Sequence, residues 1–176
     1  MSRFIVTFAL ILLSFSTVQT DSAFAQALDK GQAVVGESGL TIPRFVSIDT
    51  DKVNMRTGPG DQYPILWVYQ RNDLPLVVTS EYGQWRRVRD FEGTSGWMHR
   101  ALLSGERTAI VTGSVIRNLY AEPNRGSEIV IKARPGVVAP ILRCTKGWCQ
   151  LNMAGREGWL PEGHIWGTFT SELIEE

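Results

Sequence analysis

The chain has 176 residues, enough for one or two small domains, and it carries 18 basic and 18 acidic residues. This balance excludes a protein that attracts nucleic acid or an anionic membrane surface through its net charge. The two cysteines lie far from the isolated histidines His99 and His164, so the sequence lacks the closely spaced ligand set of a zinc site. We expect no metal and no other cofactor.

The first 25 residues are predicted to be a secretory signal peptide. Arg3 precedes an apolar run over residues 4–15, and the AFA tripeptide at 23–25 has the small residues of a cleavage site. A membrane anchor is the alternative, but a span needs roughly 20 apolar residues. Cleavage after Ala25 would remove one basic and one acidic residue and leave 17 of each. We therefore expect an exported protein with no membrane insertion after cleavage.

The segment 26–45 carries few large apolar side chains and two long polar stretches. A segment that buries little apolar surface does not offset the entropy lost when it becomes ordered. We predict a flexible leader at 26–45 and, for the acidic end of the chain, a solvated tail at 170–176.

Residues 53–104 and 117–168 form an internal repeat, here called the first and the second copy. Matching residues keep their order at offsets of 64, then 63, then 62 positions: Asn54 and Asn118, Pro59 and Pro123, Ile65 and Ile129, Trp85 and Trp148, Val88 and Leu151, Gly96-Trp97 and Gly158-Trp159. Self-similarity of this length at a nearly fixed period indicates a tandem duplication.

Each copy consists of short β-branched runs separated by glycine turns, such as LPLVVTS, GQWRRV and GTSGWM in the first copy. Prolines recur too often in these regions for long helices. Strands of four to six residues with turns every eight to twelve are typical of small barrels or sandwiches. We predict an all-β fold, with helix limited to a turn or two near residues 63–66 or in the C-terminal tail.

The first copy contains N-M-R-T-G-P-G, then Y-P-I, a hydrophobic run, W-x-x-V and G-x-x-G-W-M-H. This order resembles the bacterial SH3-like (SH3b) domain family, and the resemblance covers about 46–105 and 109–169. It is weaker in the second copy, where Tyr120 replaces Arg56 and Glu122 replaces Gly58. Any function of that turn is therefore expected in the first copy. The whole chain resembles exported two-copy proteins of Gram-negative bacteria, which implies two tandem SH3-like barrels in the periplasm.

Cys144 and Cys149 are predicted to form a structural disulfide. Thiols tend to oxidise outside the cytoplasm, and a two-residue turn at Lys146-Gly147 would place the two cysteines directly opposite each other in a hairpin. A catalytic pair of Cys149 and His164 is the alternative, but no activated-nucleophile signature surrounds either cysteine.

In the first copy, Glu81 and Arg86 align with these two cysteines. We therefore predict a cross-strand ion pair in place of the disulfide. If it is exposed, as we expect, it contributes only about 0–1 kcal/mol to stability.

Five residues of the first copy are candidate ligand contacts: Arg56, Tyr63, Trp85, Arg86 and Trp97. An exposed Trp85 beside Arg86 and Arg87 would offer stacking and cation–π contacts, and Arg56 could bind a carboxylate. Each also has a structural interpretation, because Trp97 could pack at the barrel edge, Trp85 could cover the barrel mouth and Arg56 could form a salt bridge. The TGPG turn at 57–60 is not a phosphate cradle, since it lacks a third glycine and a following helix.

The run QYPILWVYQ places Tyr63, Ile65, Trp67 and Tyr69 on one side of a strand. The other side, with Leu66 and Val68, is also apolar, so this strand is predicted to be covered on both sides. A seam between the two copies is the leading interpretation, and a binding groove is the alternative.

We find no paired carboxylates, no Ser-His-Asp set and no metal set that would indicate an enzyme. The resemblance implies instead a binding module for the peptides of the cell wall (peptidoglycan). A partner protein of the envelope is the alternative, with the second copy bracing the first.

Overall fold

The structure is a computed structural model of the chain and describes residues 33–170 and 172–175. The signal peptide predicted at 1–25 and the leader residues 26–32 lie outside the described residues. Within the described part of the chain, no helix is long and apolar enough to cross a membrane.

The described residues are almost entirely β-strand. A short hairpin comes first, and its strands are β1 (Val34–Val35) and β2 (Thr41–Ile42). The strands of the first copy are β3 (Arg44–Ile48), β4 (Val53–Arg56), β5 (Ile65–Tyr69), β6 (Pro75–Tyr82), β7 (Trp85–Arg89), β8 (Ser95–His99) and β9 (Leu103–Ser104). Those of the second copy are β10 (Thr108–Val111), β11 (Arg117–Tyr120), β12 (Ile129–Ala133), β13 (Val138–Thr145), β14 (Trp148–Met153), β15 (Arg156–Pro161) and β16 (Ile165–Trp166).

Each copy forms a seven-stranded sheet, and the two sheets have the same topology. The first has the order β5-β4-β8-β7-β6-β3-β9 and the second has the order β12-β11-β15-β14-β13-β10-β16. Every strand pair in both sheets is antiparallel. The predictions of an all-β fold and of a tandem duplication are confirmed.

The helical turns lie elsewhere than predicted. Two 3-10 turns occupy equivalent places after β8 and β15, at Arg100–Leu102 and Glu162–His164. Residue 65 already belongs to β5, so the helical turn predicted near residues 63–66 is wrong. The four apolar residues from Ile65 to Val68 form an extended strand because β4 supplies a hydrogen-bonding partner.

Each sheet encloses its own apolar core. In β4, Val53 and Met55 are buried while Asn54 and Arg56 point outward, which is the alternation expected of a half-buried strand. The first core contains Ile42, Val46, Ile48, Val53, Met55, Tyr69, Leu76, Val78, Val88 and Met98. The second core contains Ala109, Val111, Leu119, Ala133, Ala139, Ile141, Cys144, Cys149, Leu151, Leu160 and Ile165.

Residues 33–45 belong to the folded unit, so the flexible leader predicted for 26–45 is wrong over this part. The hairpin of β1 and β2 buries Ile42, which is 2% exposed, in the first core. Ser38, in its turn, donates hydrogen bonds to Glu81 from both its backbone N–H and its hydroxyl. One buried isoleucine and a hydrogen-bonded polar turn therefore fix this segment on the first copy, although its low content of apolar residues predicts an unfolded segment.

The copies contact each other through Phe45, not through the apolar strand β5. The ring of Phe45 lies 5.0 Å from that of Trp166 and 4.8 Å from that of Phe169, centroid to centroid. Thr108 also donates a hydrogen bond of 2.7 Å to the carbonyl of Asp73. The seam predicted on residues 63–69 is therefore wrong in its location.

Strand β5 is the edge of the first sheet and is largely exposed. Trp67 is 57% exposed, and Ile65, Leu66 and Val68 are exposed as well. Tyr69 alone is buried, and its hydroxyl donates to Asp90 at 2.7 Å. Burial, followed by this hydrogen bond, raises the pKa of Tyr69.

The predicted disulfide between Cys144 and Cys149 is confirmed, and so is its register. The two cysteines are direct partners, with Thr145 opposite Trp148, and their Cα atoms are 4.1 Å apart. Lys146 and Gly147 both have positive φ, as a two-residue hairpin turn requires.

The C-terminal segment is docked on the second copy, so the prediction of a solvated tail at 170–176 is wrong for Glu172 and Ile174. Ile174 exchanges backbone hydrogen bonds with Cys144. Glu172 forms two hydrogen bonds with the guanidinium of Arg107, at 2.7 and 2.9 Å. A bidentate arginine–carboxylate pair holds planar groups in a fixed orientation, which anchors the segment.

The predicted pair of Glu81 and Arg86 is present, but it is buried rather than exposed. The two residues are cross-strand partners, their charged atoms are 3.2 Å apart, and their side chains are 1% and 6% exposed. Arg44 adds a second salt bridge to Glu81, at 2.7 Å. Because the hairpin of β1 and β2 covers this end of the sheet, one carboxylate serves two arginines and Ser38 away from water.

We expect Glu81→Gln to lower the free energy of unfolding by about 3–5 kcal/mol, because it leaves two partly or fully buried guanidinium groups without their counter-charge. Urea unfolding at pH 7 measures the effect. Glu92→Gln, at an exposed position, is the matched control and should change stability by less than about 0.5 kcal/mol. A loss from Glu81→Gln no larger than that of the control would contradict a buried network.

The contribution of Glu81 to stability should depend on pH. Burial alone would raise the pKa of Glu81, but the hydrogen bonds from Ser38 and the hydrogen bond and charge of Arg44 outweigh it and hold the pKa below its usual range. The contribution of Glu81 is therefore complete above the ordinary glutamate pKa of about 4.3 and is lost as the pH falls through the lower, folded-state pKa. The stability difference between wild type and Glu81→Gln should shrink on acidification below about pH 4.

We expect the double variant Cys144→Ala/Cys149→Ala to lose about 2 kcal/mol of stability, because its unfolded chain is no longer restricted by a short closed loop and so has more entropy. Alanine avoids placing a hydroxyl at Cys149, which is fully buried. Urea unfolding with and without a reductant measures the loss. Reductant should lower the stability of the wild type by a similar amount and leave the double variant unchanged, and an equal response of both proteins would contradict this assignment.

Candidate ligand cleft of the first repeat

The outward faces of β4, β7 and β8 form one continuous surface on the first copy. Inward-facing Val88 and Met98 are fully buried, so their neighbours along each strand point outward. The outward residues meet in two cross-strand rows. In one row Trp85 lies opposite His99, and in the other Arg87 lies opposite Trp97, which in turn lies opposite Arg56.

A small cleft of about 190 Å³ opens on this surface. It is lined by Lys52, Val53, Asn54, Arg56, Asp61, Trp85, His99 and Leu102. The lining thus brings two cationic side chains, one carboxylate and one indole ring into contact with the same space.

Arg56 is held at the mouth of the cleft by the turn that follows β4. One terminal nitrogen donates to the carbonyl of Tyr63 at 2.8 Å. The other lies 3.6 Å from a carboxylate oxygen of Asp61, whose side chain is 89% exposed. An ion pair this exposed is weak, so Arg56 keeps its capacity to bind another carboxylate while its position remains fixed.

Trp85 and His99 form the aromatic wall. Their rings meet edge to face at a centroid distance of 5.5 Å. His99 also caps the 3-10 turn, because its Nδ1 accepts a hydrogen bond from the backbone N–H of Ala101 at 3.3 Å. In the neutral ring the proton is therefore on Nε2, where it can be donated to a ligand. His99 is half-buried and therefore serves both the turn and the cleft wall.

Tyr63 borders the cleft through the glycine turn. Its ring lies directly over Gly58, at a place where any Cβ would collide with it, and its side chain is 39% exposed. The glycine in TGPG therefore allows an aromatic ring to pack on the turn. In the second copy Glu122 replaces this glycine and Ser127 replaces the tyrosine. No ring packs on the turn there, and the hydroxyl of Ser127 accepts a hydrogen bond of 3.1 Å from the backbone N–H of Glu122.

The structure brings Arg56 and Trp85 into the cleft, with Tyr63 at its border and Trp97 in the adjacent row. Arg86 lies on the opposite, inward side of β7, where it bonds to Glu81 and to the carbonyls of Gly83 and Trp85. It does not reach the cleft surface.

Arg87 lies on the same face of β7 as Trp85, as the sequence indicates. It is exposed and lies directly opposite Trp97. Val88 is the better core residue of the WRRV run, so strict alternation places Trp85 and Arg87 outward. The sequence did not single out Lys52 and Asp61, which line the cleft.

A larger groove of about 640 Å³ lies on the second copy, beside the disulfide hairpin. Arg143 stacks over Trp159 there, with its guanidinium carbon 5.0 Å from the ring centroid. Leu173, Ile174 and Glu175 form one of its walls, so the end of the chain itself occupies part of this surface. The first-copy cleft, by contrast, contains two of the residues predicted from the sequence, Arg56 and Trp85.

The first-copy cleft is lined by groups that can bind a ligand. Within the described residues no group of three or more histidines, cysteines, aspartates or glutamates could hold a metal ion. The described residues that line the cleft include no hydroxyl or thiol nucleophile. Cationic groups next to an indole ring can bind a ligand that combines a carboxylate with an apolar or planar part.

Parts of several known proteins are similar to this chain. A Bacillus subtilis (strain 168) protein named as an N-acetylmuramoyl-L-alanine amidase, YrvJ, is 22% identical over 139 residues, which are 73% of this chain and 27% of that protein. Similar solved structures are NlpC2 and NlpC1 from Trichomonas vaginalis, at 16% and 17% identity and a TM-score of 0.33 each, covering 70% and 75% of this chain and 48% of each of those chains. The chain thus spans about a quarter of the curated relative and about half of each solved chain.

The family model of the bacterial SH3 domain matches residues 49–105 and 113–167. These two matches correspond to the two sheets and together cover more than half of the chain. The chain therefore belongs to the bacterial SH3 domain family, with two copies of the domain in tandem.

Proposed function

We propose that this protein is a non-enzymatic binding module of the periplasm that holds peptides of the peptidoglycan in the first-copy cleft. The observation that carries the proposal is the placement of Arg56 and Trp85 around one opening. Peptides of the cell wall end in carboxylates, which a guanidinium binds with directional hydrogen bonds. The indole of Trp85 would cover the apolar part of such a peptide.

Two further points support this function. Membership in the bacterial SH3 domain family favours a cell-wall binding role, and the curated relative is named for an amidase of N-acetylmuramoyl-L-alanine, a component of the wall. The cleft lining offers cations and an aromatic ring but no hydroxyl or thiol nucleophile among the described residues, which favours binding over catalysis. Nucleic acid is not expected as a partner, since the chain has no net positive charge.

We expect Trp85→Ala to lower the affinity for purified peptidoglycan about tenfold, because stacking and desolvation by an aromatic anchor contribute roughly 1.5 kcal/mol or more. Co-sedimentation of the protein with purified peptidoglycan measures the affinity. The thermal midpoint should change little, since the ring is only half-buried. Phe91→Ala is the matched control, because Phe91 is 46% exposed and does not line the cleft. Equal sedimentation of the two variants would rule out the cleft as the binding site.

The salt dependence distinguishes the roles of the arginine and the tryptophan. Binding that depends on Arg56 and a ligand carboxylate should weaken when the salt concentration rises from 0.1 M to 1 M, since screening shortens the Debye length from about 10 Å to 3 Å. Sedimentation that is unchanged at 1 M salt would leave the indole as the main contact. No sedimentation under any condition would overturn the proposed function.

A second candidate function, binding to a partner protein of the envelope, is favoured by the exposed edge strand β5. Four consecutive apolar residues there, Ile65 to Val68, lie at the free edge of the sheet. An open strand edge can pair with an extended segment of another chain. The contacts of Phe45 with Trp166 and Phe169 are those expected if the second copy braces the first.

We expect Trp67→Lys to abolish crosslinking of the protein to a periplasmic partner while sedimentation with peptidoglycan is retained, because a charge on this edge opposes strand pairing. Crosslinking in intact cells measures the first effect and sedimentation measures the second. Ile129→Lys, at the corresponding edge strand of the second copy, is the control. Crosslinks that survive in Trp67→Lys would exclude β5 as the contact surface.

A further inference from the structure

The second copy has a cleft at the position that corresponds to the first-copy cleft. It has a volume of about 160 Å³ and is lined by Ile116, Arg117, Asn118, Tyr120, Arg125, Pro161 and His164. The repeat offsets align these residues with Lys52, Val53, Asn54, Arg56, Asp61, His99 and Leu102, all of which line the cleft of the first copy. The duplication therefore preserved the opening and changed its chemistry.

Two apolar residues of the first copy are replaced by polar ones in the second. Val53 is a core residue, 2% exposed, and Leu102 packs against the same core. Their counterparts are Arg117 and His164. This exchange puts a guanidinium and an imidazole where the first copy has hydrocarbon.

The exchange leaves buried polar atoms without partners. The Nε of Arg117 and the Nδ1 of His164 are both buried and have no hydrogen-bond partner among the described residues. A buried polar atom that is left unsatisfied is costly, and such atoms are rare in native proteins. Both of these atoms belong to residues that line the same small cleft, so a ligand bound there could satisfy both.

The cleft of the second copy is also more positively charged than that of the first. Asp61, the one carboxylate that lines the first-copy cleft, aligns with Arg125. No acidic residue is found among the described residues that line the second cleft. The nearest acidic neighbour in sequence to His164 is Glu162, whose carboxylate accepts a hydrogen bond from Thr168 at 3.3 Å and lines a different cavity.

We propose that the second cleft is a binding site for the carboxylate group of a small organic acid or of a peptide C-terminus. Arg117 and Arg125 would bind the carboxylate oxygens, since a guanidinium presents paired donors to a planar carboxylate. The Nδ1–H of His164 would donate to the same group. This site lies outside the proposed peptidoglycan cleft and is independent of whether the first copy binds the wall.

The walls of the cleft favour an organic anion over a free inorganic one. The cleft has room for roughly five water molecules, at about 30 Å³ each. Beyond Arg117, Arg125 and His164, its lining consists of the amide of Asn118 and three side chains that offer apolar surface, those of Tyr120, Ile116 and Pro161. An apolar group next to the carboxylate would cover these side chains, whereas inorganic phosphate would leave them wet.

The two histidines of the chain allow the two clefts to be observed separately. His99 lines the first cleft and His164 lines the second, and the chain contains no other histidine. Their ring signals in an NMR spectrum of residues 26–176, which include the whole described fold, can be assigned with the variants His99→Gln and His164→Gln. N-acetylglycine is the probe, N-acetylglycinamide is its uncharged control, and inorganic phosphate is the competing anion, all at pH 7.

We expect N-acetylglycine to shift the His164 signal in a saturable way, and the amide to leave it unchanged at the same concentration. Arg125→Gln should weaken the binding about tenfold or more, the fold-change for the loss of a charge-assisted hydrogen bond. Arg125 is exposed, so this variant should keep its thermal midpoint. Lys146→Gln, in the hairpin turn of the same copy, removes one positive charge elsewhere and should bind like the wild type.

Three results would overturn the proposal. They are an unchanged His164 signal, an equal response to the acid and the amide, and tighter binding of inorganic phosphate than of N-acetylglycine. An equal loss in Arg125→Gln and Lys146→Gln would also overturn it, because it would show that general charge and not this cleft attracts the anion. Sedimentation with peptidoglycan is measured on the same variants, so failure of this site and failure of the first-copy cleft are distinguishable.

Discussion

The alternation of side chains along β7, fixed by the burial of Val88, determines both the core and the surface of the first copy. With Val88 inward, Trp85 and Arg87 must point outward and Arg86 must point inward. The outward pair meets His99 and Trp97 of the next strand and so forms the recognition surface. The inward arginine is a buried charge, which is tolerated only with a partner, and Glu81 supplies that partner from the opposite strand.

The same constraint explains why the N-terminal hairpin is folded. Glu81 has four lone-pair sites, and Arg86 uses only part of this capacity. Ser38 and Arg44 fill the rest, so the hairpin and the start of β3 complete a network that begins at β7. Each contact to Glu81 offsets part of the cost of burying its charge, which makes the hairpin part of the domain rather than an appendage.

The duplicated hairpin shows two chemical solutions at one position. In the first copy the pair opposite each other on β6 and β7 is ionic, and in the second copy the pair on β13 and β14 is a disulfide. In both copies this pair is also where an additional chain segment attaches, through Ser38 to Glu81 and through Ile174 to Cys144. The two termini of the described fold are therefore held by equivalent sites of the two repeats.

Much of the fold was predictable from the sequence because it depends on local and periodic signals. The repeat, the antiparallel strands and the register of Cys144 with Cys149 follow from spacing and turn residues. The burial of Glu81 was not predictable, since it depends on a hairpin more than 40 residues away whose own sequence is polar. The exposure of β5 was not predictable either, because an all-apolar strand such as ILWVY usually indicates burial on both faces.

The two clefts lie at equivalent positions of the two copies but carry different side chains. In the first copy two cations, Lys52 and Arg56, and one anion, Asp61, line the same opening, and Trp85 adds an aromatic wall. In the second copy the residues aligned with Arg56 and Asp61 are Tyr120 and Arg125, and the positive charge now comes from deeper in the cleft, at Arg117. Burial and the neighbouring charges of Arg117 and Arg125 lower the pKa of His164, which keeps this ring neutral at pH 7. A neutral imidazole beside two guanidinium groups adds no third positive charge to this cleft, so it can serve there as an uncharged donor.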